Sequence, residues 1–133
     1  MTRRNSALGF LGRFGRSEDL RNLDMALRAA DLHPAQVPEG VKLTIVNLMK
    51  DQWPHGEPPI EAYGAAGRLF AYCLIGPDLF RQANGDEAVQ DAERRIELAL
   101  DREASLDAQL VLLSLHAKLV NPKVLARFDL SAE

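Results

Sequence analysis

The chain has 133 residues, a formal net charge of −3 and 47% hydrophobic side chains, values that are ordinary for one soluble globular domain. The acidic balance argues against general nucleic-acid binding by the body of the domain. The single cysteine, Cys73, excludes an internal disulfide and a thiolate metal cluster, so a reducing compartment is expected. No apolar run approaches the roughly 20 residues that cross a bilayer. We therefore expect a cytoplasmic protein.

Charge is distributed unevenly along the chain. Residues 1–17 carry four arginines and no carboxylate, whereas residues 18–133 carry 12 basic and 19 acidic side chains. We therefore separate a basic, acid-free N-terminal arm (1–16) from a helical bundle domain (17–133). On a helical wheel the apolar arm residues share one face, and Arg13 and Arg16 lie opposite. The candidate contact residues of the arm are Arg3, Arg4, Phe10, Leu11, Arg13, Phe14 and Arg16.

The sequence leaves the partner of this arm open. Residues 86–107 hold eight carboxylates and three arginines, so the arm can fold back on its own domain. If it is ordered, we expect Phe10, Leu11 and Phe14 to face the bundle and the arginines to face its carboxylates. If it is disordered, an external partner is the better explanation. The alternatives are a protein, a targeting receptor, single-stranded nucleic acid and an anionic membrane surface.

Two of these alternatives, membrane attachment and a secretory signal, are weakened by the arm itself. Gly9, Gly12 and Gly15 each cost a helix about 1 kcal/mol, which disfavours membrane attachment. Gly12 and Arg13 also interrupt the apolar run of a secretory signal. An Arg-rich organellar transit peptide fits better, although the abundance of Ala, Leu, Arg and Asp is equally typical of a bacterial protein. Nucleic acid is not expected as a partner.

Helical spacing of apolar residues dominates the first half of the domain. Ser17 can cap a first helix that Pro34 stops, and its predicted apolar stripe comprises Leu20, Leu23, Ala26, Leu27 and Ala30. The β-branched stretch 42–46 would suit a strand, but helical spacing predicts a helix over about 38–51. The segment 53–59 is rich in proline and predicts a loop. Pro59 then opens a third helix, which Gly76 and Pro77 end near Ile75.

Further helices are predicted in the second half. A short one over Pro77–Ala83 closes with Asn84 and Gly85. Asp86 is expected to cap the next, whose predicted buried stripe is Val89, Ala92, Ile96, Ala99 and Leu100. Ser105 is expected to cap the most apolar helix, which ends at Asn121–Pro122, and a last turn follows. We predict an all-α, single-domain bundle of five or six mostly antiparallel helices.

The three histidines form no recognisable metal motif. His33, His55 and His116 lie in different segments, without a second histidine or carboxylate at diagnostic spacing. If His116 is buried, it needs a hydrogen-bond partner, for which Asp31 or His33 would serve. We expect no metal and no cofactor.

Small residues in the helix that follows Pro59 leave a thin face, which predicts a tight helix crossing. The alternative is a shallow ligand pocket on this face, with the candidate residues Trp53, His55, Tyr63, Tyr72 and Cys73. Cys73 lies among apolar neighbours, so we expect a buried and unreactive thiol.

The sequence favours a non-enzymatic interaction or regulatory module over an enzyme. Its expected working surface is the basic arm together with the acidic helix of residues 86–103, and its expected partner is a protein or a second copy of the chain. The first alternative is a small-molecule-binding or metal-binding bundle, with or without enzymatic activity, that uses the region of Trp53, His55 and Tyr63. The second is a peripheral membrane protein attached through the arm.

Overall fold

In the computed structural model, residues 17–102 and 105–131 are described, and they form six α-helices, one short 3-10 helix and no strand. The α-helices are α1 (Glu18–Ala29), α2 (Glu39–Asp51), α3 (Ile60–Asn84), α4 (Asp86–Leu100), α5 (Leu106–His116) and α6 (Pro122–Phe128), with the 3-10 helix at Pro34–Gln36. The helices pack against each other as one bundle, which confirms the predicted fold class. The candidate contacts of the arm (Arg3, Arg4, Phe10, Leu11, Arg13, Phe14 and Arg16) lie outside the described residues.

Side-chain pairs show the directions of the helices. Between α1 and α2, Asp19 binds Lys50 and Asp24 binds the buried Lys42, both at 3.1 Å, so these helices run antiparallel. Tyr72 of α3 binds Glu93 of α4, whereas the earlier Ala65 is bound by the later Arg95, so this pair is also antiparallel. Both pairs of consecutive helices therefore have the antiparallel packing predicted from the sequence.

Several helix termini lie at the same end of the bundle. The Tyr63 hydroxyl at the start of α3 donates to Asp19 at the start of α1. Arg95, near the end of α4, contacts both Ala65 of α3 and Asp107 at the start of α5. We refer to this as the Asp19 end of the bundle.

Helix α3 is the centre of the bundle, since it packs against α1, α4, α5 and α6. The tight crossing predicted from its small residues is confirmed at Gly67. A Cβ atom placed on Gly67 would lie 2.8 Å from the Cβ of Ala26 and 3.0 Å from its backbone carbon. Close approach of α1 to α3 therefore requires glycine at this position.

A break at Gly76 divides α3 where the sequence predicts a helix end. Gly76 has φ +89°, and Pro77 begins the second half of the helix. Because Pro77 lacks an N–H, it leaves the carbonyl of Cys73 without its helical donor. The backbone N–H of Asn121 binds that carbonyl at 2.8 Å, which joins the start of α6 to the break.

Two of the three predicted caps are confirmed. The hydroxyl of Ser17 accepts from the amide of Leu20 at 3.2 Å, and that of Ser105 accepts from the amide of Ala108 at 3.1 Å. The prediction for Asp86 is wrong, because Gly85 is the N-cap residue of α4 and has φ +94°. The Asp86 side chain instead forms an ion pair with Arg81 at 2.8 Å.

Two further expectations for the second half are wrong. Helix α5 ends at His116, before Asn121, because Lys118 adopts φ +59° and the amide of Leu119 returns to the carbonyl of Ser114. This arrangement is a Schellman motif, which stops the helix. Leu100 is 51% exposed and so does not belong to the buried stripe of α4.

Candidate functional site

The two tyrosines of the predicted ligand region are buried, and each serves a different helix contact. The Tyr63 hydroxyl donates to Asp19 of α1 at 2.8 Å, and the Tyr72 hydroxyl donates to Glu93 of α4 at 2.7 Å. Burial, with the acceptor carboxylate, raises the pKa of both phenols above the usual value of 10. Nine residues of helix separate them by about 13 Å along α3. Their hydroxyls therefore join helices and do not converge.

The other three candidates of that region differ in exposure. Burial raises the pKa of the Cys73 thiol to about 12, against an opposing hydrogen bond with Ser114. A buried neutral thiol is a poor nucleophile, which agrees with the unreactive group expected from the sequence. Trp53 is partly buried and His55 is exposed, and both lie in the loop between α2 and α3. No hydrogen bond joins these three described residues, so they do not form a shared ligand site.

The histidines at the far ends of α1 and α5 are exposed. Nδ1 of His33 accepts from the amide of Ala35 at 3.0 Å and so caps the 3-10 helix. His116 is exposed and needs no buried partner. Within residues 17–102 and 105–131, no group of three His, Cys, Asp or Glu side chains is arranged to hold a metal ion.

An apolar groove lies along the outer surface of α4 and α5. It has a volume of about 520 Å³ and is lined by Ala99, Leu100, Ala108, Val111, Leu112 and Leu115, with Leu130 of the C-terminal segment. We refer to it as the α4–α5 groove. Leu100 is 51% exposed and Leu112 is 50% exposed. The groove therefore presents leucine side chains from both helices to solvent.

The groove exists because α5 carries more apolar side chains than the bundle covers. A helix that is apolar all round is normally buried on all sides. In α5 the buried residues are Leu110, Val111, Ser114 and Leu115. Leu112 lies on the opposite side from Leu110 and Ser114, and no described helix packs over it. Its exposure leaves one apolar face without a partner within the described part of the chain.

The α4 side of the groove carries two carboxylates that form no ion pair with another described residue. Glu97 precedes Leu100 by three residues, so the two lie on the same side of α4, and Asp101 follows directly. Both are exposed, and neither has an ion-pair partner among the described residues. Three other carboxylates of this helix are paired, namely Asp86 with Arg81, Asp91 with Arg94, and Glu93 with Arg127. The α4 side of the groove thus combines an apolar floor with two exposed carboxylates.

Leu130 extends the apolar surface beyond the groove. It also lines a second hollow of about 290 Å³ with Leu115, Lys118, Val120 and Leu125. Asp129 turns the chain with φ +53°, and the amide of Leu130 donates to the carbonyl of Leu125 at 2.9 Å. The segment after α6 is therefore held where it closes one end of the α4–α5 groove.

The working surface expected from the sequence is the basic arm together with the acidic helix of residues 86–103, and the apolar groove beside that helix was not predicted. The available signal was the run of four consecutive apolar residues at 110–113, which exceeds what one buried helix face requires. Comparison with protein-family models, curated proteins and solved structures gave no significant match. Among the described helices, none has the length and apolar character required to span a bilayer.

Proposed function

We propose that this chain is a non-enzymatic helical interaction module that binds an amphipathic helix of a partner protein in the α4–α5 groove. The observation that carries the proposal is the exposure of Leu100 and Leu112 at an apolar groove of about 520 Å³. Apolar grooves between helices bind amphipathic helices through side chains at positions i, i+3, i+4 and i+7. A helical partner is therefore the occupant that this surface favours.

The charge around the groove supports a basic partner. Glu97 and Asp101 are exposed beside Leu100 and have no ion pair among the described residues. Arginine or lysine on the flank of a bound helix would lie near these carboxylates and speed its association. The partner is therefore a segment with one apolar face and basic residues next to it. The lone, buried Cys73 supports a reducing location such as the cytoplasm.

The titratable groups of the core support a structural role over a catalytic one. The pKa values of Tyr63, Tyr72 and Cys73 are all raised by burial, which stabilises the neutral form of each. A catalytic acid or base requires a pKa near the working pH and access to a substrate. These three groups have neither property. A protein-binding role is consistent with this core.

A peptide-binding measurement tests the proposal. The ligand is a fluorescein-labelled synthetic helix with leucines at i, i+3, i+4 and i+7 and arginines elsewhere, and the readout is fluorescence anisotropy. We expect Leu112→Glu to weaken binding at least about tenfold, because it places a charge in the apolar groove. Leu79→Glu is the matched control, since Leu79 is 56% exposed on the second half of α3. Equal affinity of both variants and the parent chain would refute the proposal.

Two further ligands and a mass measurement test the stated partner chemistry. A peptide with glutamates in place of the arginines should bind more weakly, with the difference decreasing as salt rises. Light scattering of the unliganded chain then tests for self-association. A dimer that Leu112→Glu converts to a monomer, and Leu79→Glu does not, would assign the groove to a second copy and overturn the proposed partner class.

A further inference from the structure

We infer that the Leu130 segment, residues 129–131, is a displaceable occupant of the α4–α5 groove that the partner helix must move aside in order to bind. This inference rests on the proposed function and adds a regulatory contact to it. Three features support it, namely the position of Leu130 between two hollows, the backbone that holds it there and the length of the groove.

Leu130 lies at the boundary between the groove and a second apolar hollow. The α4–α5 groove has a volume of about 520 Å³, and the second hollow has a volume of about 290 Å³. Leu115 and Leu130 line both of them, so the two hollows are adjacent. Leu130 is partly buried and packs against the hydrophobic core. Its side chain therefore separates two parts of one apolar surface.

The backbone of the Leu130 segment ends α6 in a Schellman motif. Asp129 adopts φ +53°, and the amide of Leu130 donates to the carbonyl of Leu125 at 2.9 Å. Leu125 also lines the second hollow, where it provides the hydrophobic neighbour that usually accompanies this motif. A left-handed conformation is unfavourable for a residue with a Cβ atom, although aspartate tolerates it better than most. The position of Leu130 therefore depends on one unfavourable backbone conformation, at Asp129.

Helix α6 is anchored independently of this segment. Val124 is fully buried in the core. At the start of the helix, the amide of Asn121 binds the carbonyl of Cys73 at 2.8 Å. Both anchors precede Asp129 in the chain. Leu130 can therefore leave its position while α6 remains in the bundle.

A bound helix that fills the groove would meet Leu130. The groove follows α5 from Ala108 to Leu115, which is about 10 Å, or about two helical turns. Anchors at i, i+3, i+4 and i+7 cover the same length, so an anchor at one end of the bound helix lies near Leu115. Leu130 already occupies apolar surface at that end. A leucine of the partner and Leu130 therefore compete for the same contact.

Competition of this kind sets a threshold for partner binding. The Leu130 segment belongs to the same chain, so it returns to the groove whenever the partner dissociates. The apparent affinity for the partner equals the intrinsic affinity multiplied by the fraction of molecules in which Leu130 is displaced. Displacement also joins the second hollow to the groove. A partner helix whose apolar face extends beyond i+7 is therefore favoured over a shorter one.

A fixed wall of the groove is the alternative role for Leu130. A wall residue would contribute apolar contact to the bound helix, so its removal would weaken binding. A displaceable occupant has the opposite effect. In the full chain with Leu130→Ser, we expect the fluorescein-labelled amphipathic peptide to bind about three- to tenfold more tightly than in the parent chain. Weaker or unchanged binding by Leu130→Ser would overturn the inference.

Substitution of Asp129 should change the affinity in the other direction. Glycine adopts the left-handed conformation without a steric penalty, so Asp129→Gly stabilises the closed position of Leu130. Asp129→Asn is the matched control, because it removes the same charge and keeps a side chain. We expect the peptide to bind the Asp129→Gly chain about twofold more weakly than the Asp129→Asn chain. Equal or tighter binding by Asp129→Gly would overturn the hinge on which the inference depends.

Amide exchange in the unmodified full chain follows the displacement directly. The amide of Leu130 donates to Leu125, whereas that of Asn121 donates to Cys73 at the anchored start of α6. When the peptide saturates the groove, we expect hydrogen exchange at Leu130 to become at least about fivefold faster and exchange at Asn121 to stay the same. Slower or unchanged exchange at Leu130 would overturn the inference, because the bound helix would then cover the segment where it lies.

Peptide affinity separates this inference from the proposed function. If Leu112→Glu and Leu130→Ser both weaken peptide binding, the proposed function stands and the inference fails. If the peptide binds neither the parent chain nor the Leu130→Ser chain, the proposed function fails and the inference fails with it. Tighter binding by Leu130→Ser that is lost when Leu112→Glu is added supports both.

Discussion

Arg95 of α4 holds Asp107 of α5 in a two-point ion pair, with Nε and Nη2 at 3.0 and 2.8 Å from the two carboxylate oxygens. The remaining nitrogen, Nη1, donates to the carbonyl of Ala65 in α3 at 2.9 Å. One guanidinium thus joins three helices at the end of the bundle where the groove begins. The fork-like geometry of arginine is required for this arrangement, and lysine could not reproduce it.

Replacing Arg95 should destabilise the bundle far more than replacing its neighbour. Arg95→Met removes both bonds to the Asp107 carboxylate and the second donor of the Ala65 carbonyl, at an expected cost of about 2–3 kcal/mol. Arg94→Met is the matched control, because Arg94 is 65% exposed and pairs with Asp91, whose side chain is 42% exposed. Urea unfolding followed by circular dichroism measures both. Equal midpoints for the two variants would contradict the structural role of Arg95.

Two glycines of α3 should respond to alanine in opposite directions. Gly67→Ala places a methyl group against the Cβ and backbone of Ala26, so we expect a loss of about 1–3 kcal/mol. Gly64→Ala contacts only the Arg68 side chain, at 3.3 Å, which can move. Its higher helix propensity should stabilise the protein by up to about 1 kcal/mol. Thermal unfolding gives both values, and a stabilising Gly67→Ala would show that α1 and α3 are not in close contact.

The buried tyrosines should make the protein sensitive to alkali. Their pKa values are raised in the folded state, so the stability they confer is present below about pH 10 and is lost as pH rises further. Each tyrosine adds up to about 1.4 kcal/mol per pH unit to this loss. Lys50, whose pKa is raised by its bond to Asp19, contributes to the same decline.

Phenylalanine variants isolate the tyrosine contribution. Tyr63→Phe with Tyr72→Phe should be less stable at neutral pH, because Asp19 and Glu93 each lose a donor. Above about pH 10 its free energy of unfolding should fall less steeply than that of the parent. Urea titrations at a series of alkaline pH values measure both slopes. Parallel slopes would show that these phenols ionise in the folded state as readily as in the unfolded chain.

Cys73 should be inert in the folded protein. A thiol pKa of about 12 leaves, at neutral pH, about a thousandfold less thiolate than the ordinary value of 9.0 allows. Burial also excludes reagents. We expect a chromogenic disulfide reagent to react slowly in buffer and rapidly in denaturing urea, where the ordinary pKa returns. Rapid stoichiometric reaction of the folded chain would contradict the burial of Cys73.

Local signals in the sequence predicted the helices well because their causes are local. Ser17 and Ser105 each cap a helix through an amide three residues away. The break at Gly76 likewise follows from the adjacent proline. The cap predicted at Asp86 was wrong because Gly85 adopts a positive φ at the sharp turn and takes the N-cap position. The Asp86 carboxylate forms an ion pair with Arg81 instead.

Long-range features were less predictable. The acceptor of Tyr63 is 44 residues away, at Asp19, and that of Tyr72 is 21 residues away, at Glu93. No periodicity specifies such pairs. The groove was missed for a related reason, since α5 is apolar on nearly every side and its pattern does not show which face remains uncovered. Leu112 is identified as exposed only after the neighbouring helices are in place.

Chemical-shift mapping of the uniformly labelled full chain with the basic amphipathic peptide shows directly whether the α4–α5 groove is the binding surface. We expect the largest amide shifts at Leu100, Leu112, Leu115 and Leu130, which line the α4–α5 groove. Leu79 and Met25, which are exposed elsewhere, should remain unchanged. Shifts centred on other surfaces, or none at saturating peptide, would contradict the assignment of this groove as the binding surface.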